Sequence, residues 1–473
     1  MSIVKDITKC AVTVTDPKDI KCVMESAWYE ATTGRPGPVW IDVPLDVQSA
    51  QIAVDSLRSF KPELKEDRTE ELKEKVSKIY ELINSSKRPI IMVGNGVRLS
   101  GAKEEFLELA PRLNIPVLTT WKSIDFMSEN HPLYVGRPGV IGQRGANFSQ
   151  QNCDLFISIG ARLDPGQTAF NHENFARKAK KVIIDIDRSE IDKMEFQIEC
   201  KMDFDAKEVI EEALKQVNKK QKDFSEWLSV CKNWQEKYPV ILEEHWEQKD
   251  HVNNYVLVDA LSQALTPGDL LIPGSSGTCS EVTMQAFKVK EGVRIFNSEG
   301  LGSMGFGVPA AIGGCIASGK KRTICIDGDG GFIMNAQELE TAKRLNLPIK
   351  YFVLNNGGYV SIRNSQNKYF DEEIASGSNS GVTLPDIEKI SYSYGIKYFK
   401  INNHDDIIEN IQFVLNSSGP AVCEVVMLNT HQSLPRSSAY KDKDGKFVAL
   451  PMEDMLPLLS RAEFKENMRF NDD

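Results

Sequence analysis

The sequence predicts an α/β protein built of doubly wound parallel-sheet domains, on three observations. Short apolar segments recur between glycine or proline breakers: RPIIMVG, DLFISIG and KVIIDID in one half, DLLIPG, RTICIDGDG, PIKYFVLNN and PAVCEVVM in the other. These segments are apolar throughout rather than alternating, as strands are when both faces of their sheet are covered. Stretches with helical spacing separate them, and strand-then-helix alternation builds parallel sheets.

The 473 residues exceed one ordinary core and, at about 150 residues per domain, suggest three units. In residues 1–55 a helix-like stretch from Lys18 to Thr33 precedes GRPGPVWIDVP, where Val39 to Val43 reads as a buried strand. One strand and one helix do not make a domain, so this segment is expected to be part of one. A charged connector from Lys61 to Lys75 leads into a unit over 70–200, with a strand ending at Gly94, a helix over 101–113, and PVLTT, DLFISIG and KVIIDID as further strands. Residues 201–250, rich in Lys and Glu, read as a helical linker with Trp227 and Trp234 turned inward. Over 251–473 the alternation resumes, with RIFNSEG as a strand beside the four named above, and a second doubly wound unit with a C-terminal tail is expected. Ligands of such sheets bind beyond the carboxyl ends of the strands, so chemistry is sought in the residues just after each strand.

Composition narrows the function. With 41% hydrophobic and 26% charged residues and no apolar run of about 20, the chain reads as soluble rather than membrane-inserted. The opening MSIVKDITKC has no basic leader followed by an apolar stretch, so a cytoplasmic location is expected. Nine cysteines are scattered without a C-x-x-C pair, and six histidines include no i, i+4 pair, which argues against a disulfide framework and a zinc site. The net charge of −10, with Lys and Arg dispersed among acids, makes nucleic acid a poor partner.

Two strand ends carry the chemistry. After RTICI the chain reads Asp327-Gly328-Asp329-Gly330-Gly331, and after YFVL it reads Asn355-Asn356-Gly357-Gly358-Tyr359. Asp329 and Asn356 are 27 positions apart, one strand-helix-strand unit, which places both at adjacent strand tips. A carboxylate, an amide oxygen and a backbone carbonyl are hard donors suited to Mg²⁺, which completes its shell with phosphate oxygens and water. Glycines around Asp329 let backbone N–H groups approach those phosphates. Taken alone, GDGG after a strand is an ordinary turn into a helix; the Asn-Asn-Gly at matching topology is what points to an ion.

The paired GDG and NN motifs resemble the signature of thiamine-diphosphate enzymes. Further pieces are similar, in the same order, to the acetolactate synthase-like branch of that superfamily: GRPGPVWIDVPLDVQ (34–48), RPIIMVGNGV, GRPGVIG (136–142), GARLD (160–164), DIDRSEI (185–191) and EGLGSMGFGVPAAIG (299–313). The resemblance implies that residues 1–55 end the pyrimidine-binding domain, that 70–200 is the central domain and that 251–473 binds the diphosphate and Mg²⁺. It implies Asp329, Asn356 and the backbone oxygen of Gly358 as metal ligands. Gly277, Thr278, Gly328, Gly330, Gly331 and Tyr359 would lie against the cofactor, Gly302 and Ser303 would contact its pyrimidine, and Met304 would be the wedge that bends it. Flavin is left open; its contacts would be Gly94, Gly96, Gly160, Ala161, Arg162, Asp185, Ile186 and Glu190.

The implied activity is decarboxylation of a 2-oxo acid such as pyruvate with carboligation, a step of branched-chain amino acid biosynthesis, in a homo-oligomer, a dimer or tetramer. The glutamate that activates the cofactor lies in the family upstream of the GRPGPV block and is absent from this chain; Glu25 and Glu30 do not replace it, so an N-terminally truncated fragment is expected. After the Asn-Asn motif the chain reads YVSIRNSQNKYF without the family's tryptophan. There Arg363 either pairs with a substrate carboxylate or is a solvated helical arginine. The alternatives are a simple 2-oxo-acid decarboxylase, a ligase making a sugar precursor, an inactive fragment that still binds cofactor, and a nucleotide-dependent oxidoreductase using Gly94-Asn95-Gly96 as its phosphate turn.

Overall fold

The structure is a computed structural model describing residues 1–63, 66–217, 222–275, 277–298, 300–441 and 443–471. Parts of both charged connectors (64–65 and 218–221) and Glu299, which opens the EGLGSMGFGVPAAIG segment, lie outside the described residues.

The N-terminal segment holds the expected helix, Ile20–Thr32, and the expected strand, β2 (Val39–Asp42), together with a strand absent from the sequence reading, β1 (Cys10–Thr13). The two strands pair in parallel, Cys10 with Val39 through Thr13 with Asp42. Lys9 ties them to the helix, its ammonium donating to the carbonyls of Glu30 and, at 2.8 Å, Thr33, which otherwise lack partners at the helix end. The strand is not buried as expected, because this thin layer covers little: no residue of β2 is fully buried, and Trp28 is 73% and Trp40 49% exposed.

The middle unit is a five-stranded parallel sheet in the order β4-β3-β5-β6-β7. Its strands are β3 (Pro89–Val93), β4 (Val117–Thr119), β5 (Leu155–Ile159), β6 (Lys180–Ile184) and β7 (Cys200–Met202). Alternate residues of β3 serve separate cores, Ile91 and Val93 on one face, Ile90 and Met92 on the other. Both faces are therefore covered, which is why the strands read as unbroken apolar runs.

The stretch expected as a linker over 201–250 differs from that reading. Helix Ala206–Gln216 buries Val209 and Ile210 in the first of those cores, and helix Ser225–Lys237 buries Trp227, Cys231 and Trp234 in the second. The two indoles point inward as expected. Trp227 Nε1 donates to Pro89 O at 3.0 Å, and Trp234 Nε1 to Asn467 Oδ1 at 2.8 Å. Lys and Glu occupy the solvent faces of these helices, and that charge hides a narrow apolar stripe in a composition count. Asn467 belongs to the C-terminal tail, which returns to this unit: Met468 enters its core, and Arg144 donates to Pro457 O at 2.7 Å.

The third unit is a six-stranded all-parallel sheet, β12-β13-β11-β10-β8-β9. It comprises β8 (Leu270–Pro273), β9 (Arg294–Ile295), β10 (Thr323–Gly328), β11 (Ile349–Asn355), β12 (Lys397–Ile401) and β13 (Ala421–Val426). The sequence reading found all but β12, whose KYFKI carries exposed Lys397 and Lys400 and lies at the sheet edge. It also missed the hairpin β14 (Ala439–Lys441) with β15 (Phe447–Ala449). Ile324, Ile326, Phe352 and Leu354 face one core, and Cys325, Tyr351 and Val353 the other. No helix among the described residues is long and apolar enough to cross a membrane.

Trp234→Ala is expected to destabilise the middle unit by about 3–5 kcal/mol in urea unfolding, where a solvated linker position would change it by less than about 0.5 kcal/mol. A second test is pH. Burial holds the His431 imidazole down at about 4, below its ordinary 6.5. Below pH 6.5 the unfolded chain takes up a proton that the folded chain refuses, so this group's effect is absent above 6.5. It then lowers stability as pH falls toward 4, by roughly 3 kcal/mol at most. His431→Phe is expected to flatten that part of a stability-versus-pH curve; an unchanged slope contradicts it.

Candidate functional site

Strands β10 and β11 run parallel in register, with Thr323 opposite Ile349 and Gly328 opposite Leu354, so both chains leave the sheet at one level. Asp329 starts the helix Asp329–Met334, and the turn 356–359 leads into the helix Val360–Tyr369. The two tips meet through Asp329, which is 3% exposed. Its Oδ2 accepts from Asn356 N at 3.2 Å and Gly358 N at 3.0 Å, and its Oδ1 from Gly330 N at 2.8 Å. Asn356 Oδ1 is buried and accepts no hydrogen bond.

The glycines have local reasons. Gly357 and Gly358 have φ of 72° and 126°, and a Cβ on Gly358 would stand 2.5 Å from Ser376 O. A Cβ on Gly330 would strike the Tyr359 ring at 2.3 Å, so the tyrosine lies directly on the GDG turn. Gly274, Gly307 and Gly331 together leave room for the Asp327 carboxyl, which is 2% exposed. Burial pushes Asp327 up to about 7, and Asp329 up to about 6 against the opposing pull of the Gly358 and Gly330 N–H groups.

A cleft of about 70 Å³ opens over these tips. Gly277, Thr278, Met304, Gly328, Asp329, Gly330, Gly331, Asn356, Gly358 and Tyr359 line it, so the structure gathers nearly all the residues the sequence singled out. Gly277 and Thr278 arrive as the first residues of the ten-residue helix Gly277–Ala286, whose N-terminal end borders the same space. Gly302 and Ser303 are not among the lining residues; Gly302, at φ 60°, sits against Ser275 O instead.

Two arginines act here in ways the sequence did not reveal. Arg363 is 7% exposed, neither solvated nor free for a carboxylate. It donates to Asn429 O at 2.8 Å, Gly357 O at 3.2 Å and Ser376 O at 3.0 Å, pinning the Asn356 turn. Arg137, from the GRPGVIG segment, donates to Met284 O at 2.8 Å, Gln285 O at 3.0 Å and Phe287 O at 2.9 Å, closing the far end of helix Gly277–Ala286. Neither role shows in a charge pattern, because most of the partners of both arginines are backbone carbonyls.

A second cleft of about 1980 Å³ runs along the tips of β3, β5 and β6 and shares Gly277 with the first. Gly96, Gly160, Ala161, Arg162, Asp185 and Ile186 line it, but Gly94 and Glu190 do not. A Cβ on Gly94 would lie 2.2 Å from Ala161 Cα, and one on Gly96 2.7 Å from Gly160 Cα, so these glycines serve the contact of two strand tips. Glu190 is buried among Arg35, Arg162 and Lys193. Asp185 lies at the cleft with its carboxyl raised by burial.

Residues 76–213 match the family described as thiamine pyrophosphate enzyme, central domain, and residues 275–425 match thiamine pyrophosphate enzyme, C-terminal TPP binding domain. The chain is 32% identical to the acetolactate synthase large subunit of Cyanidium caldarium, over 91% of this chain and 73% of that one. It is 34% identical to a probable acetolactate synthase large subunit of Methanococcus aeolicus, over 84% and 68% respectively. With the acetolactate synthase isozyme 1 large subunit of Escherichia coli (strain K12) it shares 30% identity over 89% of this chain and 72% of the relative. With paired GDG and NN tips, a doubly wound fold and relatives of this similarity, the chain belongs to the acetolactate synthase large-subunit family of thiamine pyrophosphate enzymes.

Proposed function

We propose that this chain holds thiamine diphosphate through Mg²⁺ at the β10 and β11 tips and serves the decarboxylation and carboligation of a 2-oxo acid such as pyruvate. The observation that carries this reading is Asn356 Oδ1, buried and unpaired beside a buried carboxyl. An unpaired buried acceptor costs about 1–3 kcal/mol, which a cation bound there would offset. Asp329 would give a carboxylate oxygen, Asn356 its amide oxygen and Gly358 its backbone oxygen, a hard donor set that suits Mg²⁺. A divalent charge would also favour the ionised form of Asp329 against the burial that raises it.

The N–H groups of Gly330 and Gly331 and of the first turn of helix Gly277–Ala286 would face the diphosphate. Met304 lines the same cleft, which supports its reading as the apolar wedge. When bound, thiamine diphosphate supplies a carbon nucleophile and takes up the electron pair released as carbon dioxide leaves. The chain's own residues fix the diphosphate end, limit the space over it and exclude water from the buried carboxyls. We also read the working assembly as an oligomer of this chain, dimer or tetramer, in keeping with the exposed apolar Leu301 and Phe370.

FAD is our second ligand, proposed for the larger cleft on its size and on Asp185, whose carboxyl can accept from a ribose or adenine. Gly94 and Glu190, already committed to packing and to three cations, are not part of that reading.

Calorimetric titration with thiamine diphosphate is expected to show binding that requires Mg²⁺. Asp329→Asn should weaken it at least by the ~10–100-fold that loss of an outer partner of a metal ligand costs. Metal-independent binding contradicts the proposal. Asp329 is the one carboxylate among the described residues lining the small cleft, so no second carboxylate stands there for acid-base work. The visible absorption of the purified protein tests the flavin: its absence after purification with added FAD counts against the second reading.

A further inference from the structure

The turn that carries Asn356 and Gly358 is held from a third direction, by a residue on the neighbouring strand that contacts neither the cleft nor the proposed ion. Glu424 lies on β13, opposite Val353 of β11, and is 6% exposed. Side chains two residues apart along a strand share a face, so Glu424 stands on the same side of the sheet as Asn355. Asn355 Nδ2 donates to Glu424 Oε1 at 2.8 Å, and Asn355 Oδ1 in turn accepts from Gly357 N at 3.3 Å. The carboxylate is fixed from behind by β12, where Tyr398 OH donates to Oε2 at 2.6 Å and Lys400 Nζ lies 3.3 Å from Oε1.

Two polar residues in the middle of a parallel sheet are otherwise unexpected, since these positions usually hold Val or Ile. A buried carboxylate is retained only where its partners satisfy it. Here the partners run in a chain, Tyr398 and Lys400 to Glu424 to Asn355 to Gly357, and end at the residue between the two proposed ligands on this turn. The amide of Asn355 has one orientation compatible with both of its bonds: reversed, it would set an N–H₂ against Gly357 N–H and an oxygen against the carboxylate. Glu424 therefore selects that orientation, and Asn355 passes it to the turn.

We propose that Glu424 is a positioning residue of the ion site: acting through Asn355, it sets the height and tilt of the Asn356–Gly358 turn, so that the amide oxygen and the backbone oxygen are presented together to a divalent cation. This rests on the reading of Asp329, Asn356 and Gly358 as metal ligands. Outer partners that orient metal ligands raise affinity because the ligands need not reorganise on binding. The first asparagine of the Asn-Asn motif thereby has a task distinct from the second: Asn356 meets the ion, while Asn355 orients the turn.

The test is Mg²⁺ affinity, measured by calorimetry on the full chain in saturating thiamine diphosphate. Glu424→Ala and Asn355→Ala are each expected to weaken it about tenfold. The double variant should also lose about tenfold rather than a hundredfold, because both changes cut one connection. Glu424→Gln, which keeps an amide oxygen for Asn355, should stay within about twofold of the parent chain, while Glu424→Met, which fills a similar volume without that acceptor, should lose about tenfold, a difference that a general packing role would not give. If Glu424→Ala does not fold, Asn355→Ala and Glu424→Gln carry the test alone, and unchanged affinity in Asn355→Ala overturns the proposal. Additive losses, or a Glu424→Ala chain with the parent's affinity, also overturn it. Asp329→Asn separates the two readings: if it loses the ion while Glu424→Ala keeps it, only the role of Glu424 falls. If Asp329→Asn binds Mg²⁺ like the parent, the ion site falls and this proposal with it.

Discussion

The parallel register of β10 and β11 is the constraint on which the site depends. With Gly328 level with Leu354, two turns leave the sheet side by side, and Asp329 accepts backbone N–H groups from both. Those bonds keep a carboxyl in place in a buried position where burial alone would protonate it. They also leave Asn356 Oδ1 with no partner in the protein. A site whose donors are all oxygen and whose surroundings are glycine backbone admits a hard cation and a phosphate more readily than any apolar ligand.

The rest of the molecule braces that geometry from outside. Arg363 gathers Gly357, Ser376 and Asn429 behind the turn. Arg137 reaches from the middle unit to the carbonyls ending helix Gly277–Ala286, whose other end borders the cleft. Asp125 binds Arg98 at 2.6 Å and Arg294 at 2.8 Å, joining the middle sheet to the edge of the third. The tail past β13 then runs back to the middle unit through Asn467 and Met468. Buried arginines with carbonyl and carboxylate partners fix relative placement more than they add stability.

Much of this was legible in the sequence because the informative residues were local. Each strand of the two sheets except the edge strands β7 and β12 was read from the sequence, and GDG and NN sat where strand ends were expected. What escaped was what depends on distant partners. Arg363 read as a solvated or carboxylate-binding residue, and neither Arg137 in its glycine-rich segment nor Glu424 within an apolar strand showed which partners would satisfy it. Helices Ala206–Gln216 and Ser225–Lys237 read as a linker because their charged faces dominate the composition, though Trp227 and Trp234 were rightly placed inward. Gly94 and Gly96, read as a phosphate turn in one alternative, let two strand tips touch, a contact that only the β3 and β5 pairing supplies.

The central claim is that Asp329 and Asn356 hold one divalent ion. Its most direct measurement is anomalous X-ray scattering from crystals of the chain grown with Mn²⁺ and thiamine diphosphate. The expected result is a single manganese peak in coordination range of the Asp329 carboxylate, the Asn356 side-chain oxygen and the Gly358 carbonyl. A peak bound elsewhere, or a cofactor seated at the strand tips with no metal between it and Asp329, would contradict it.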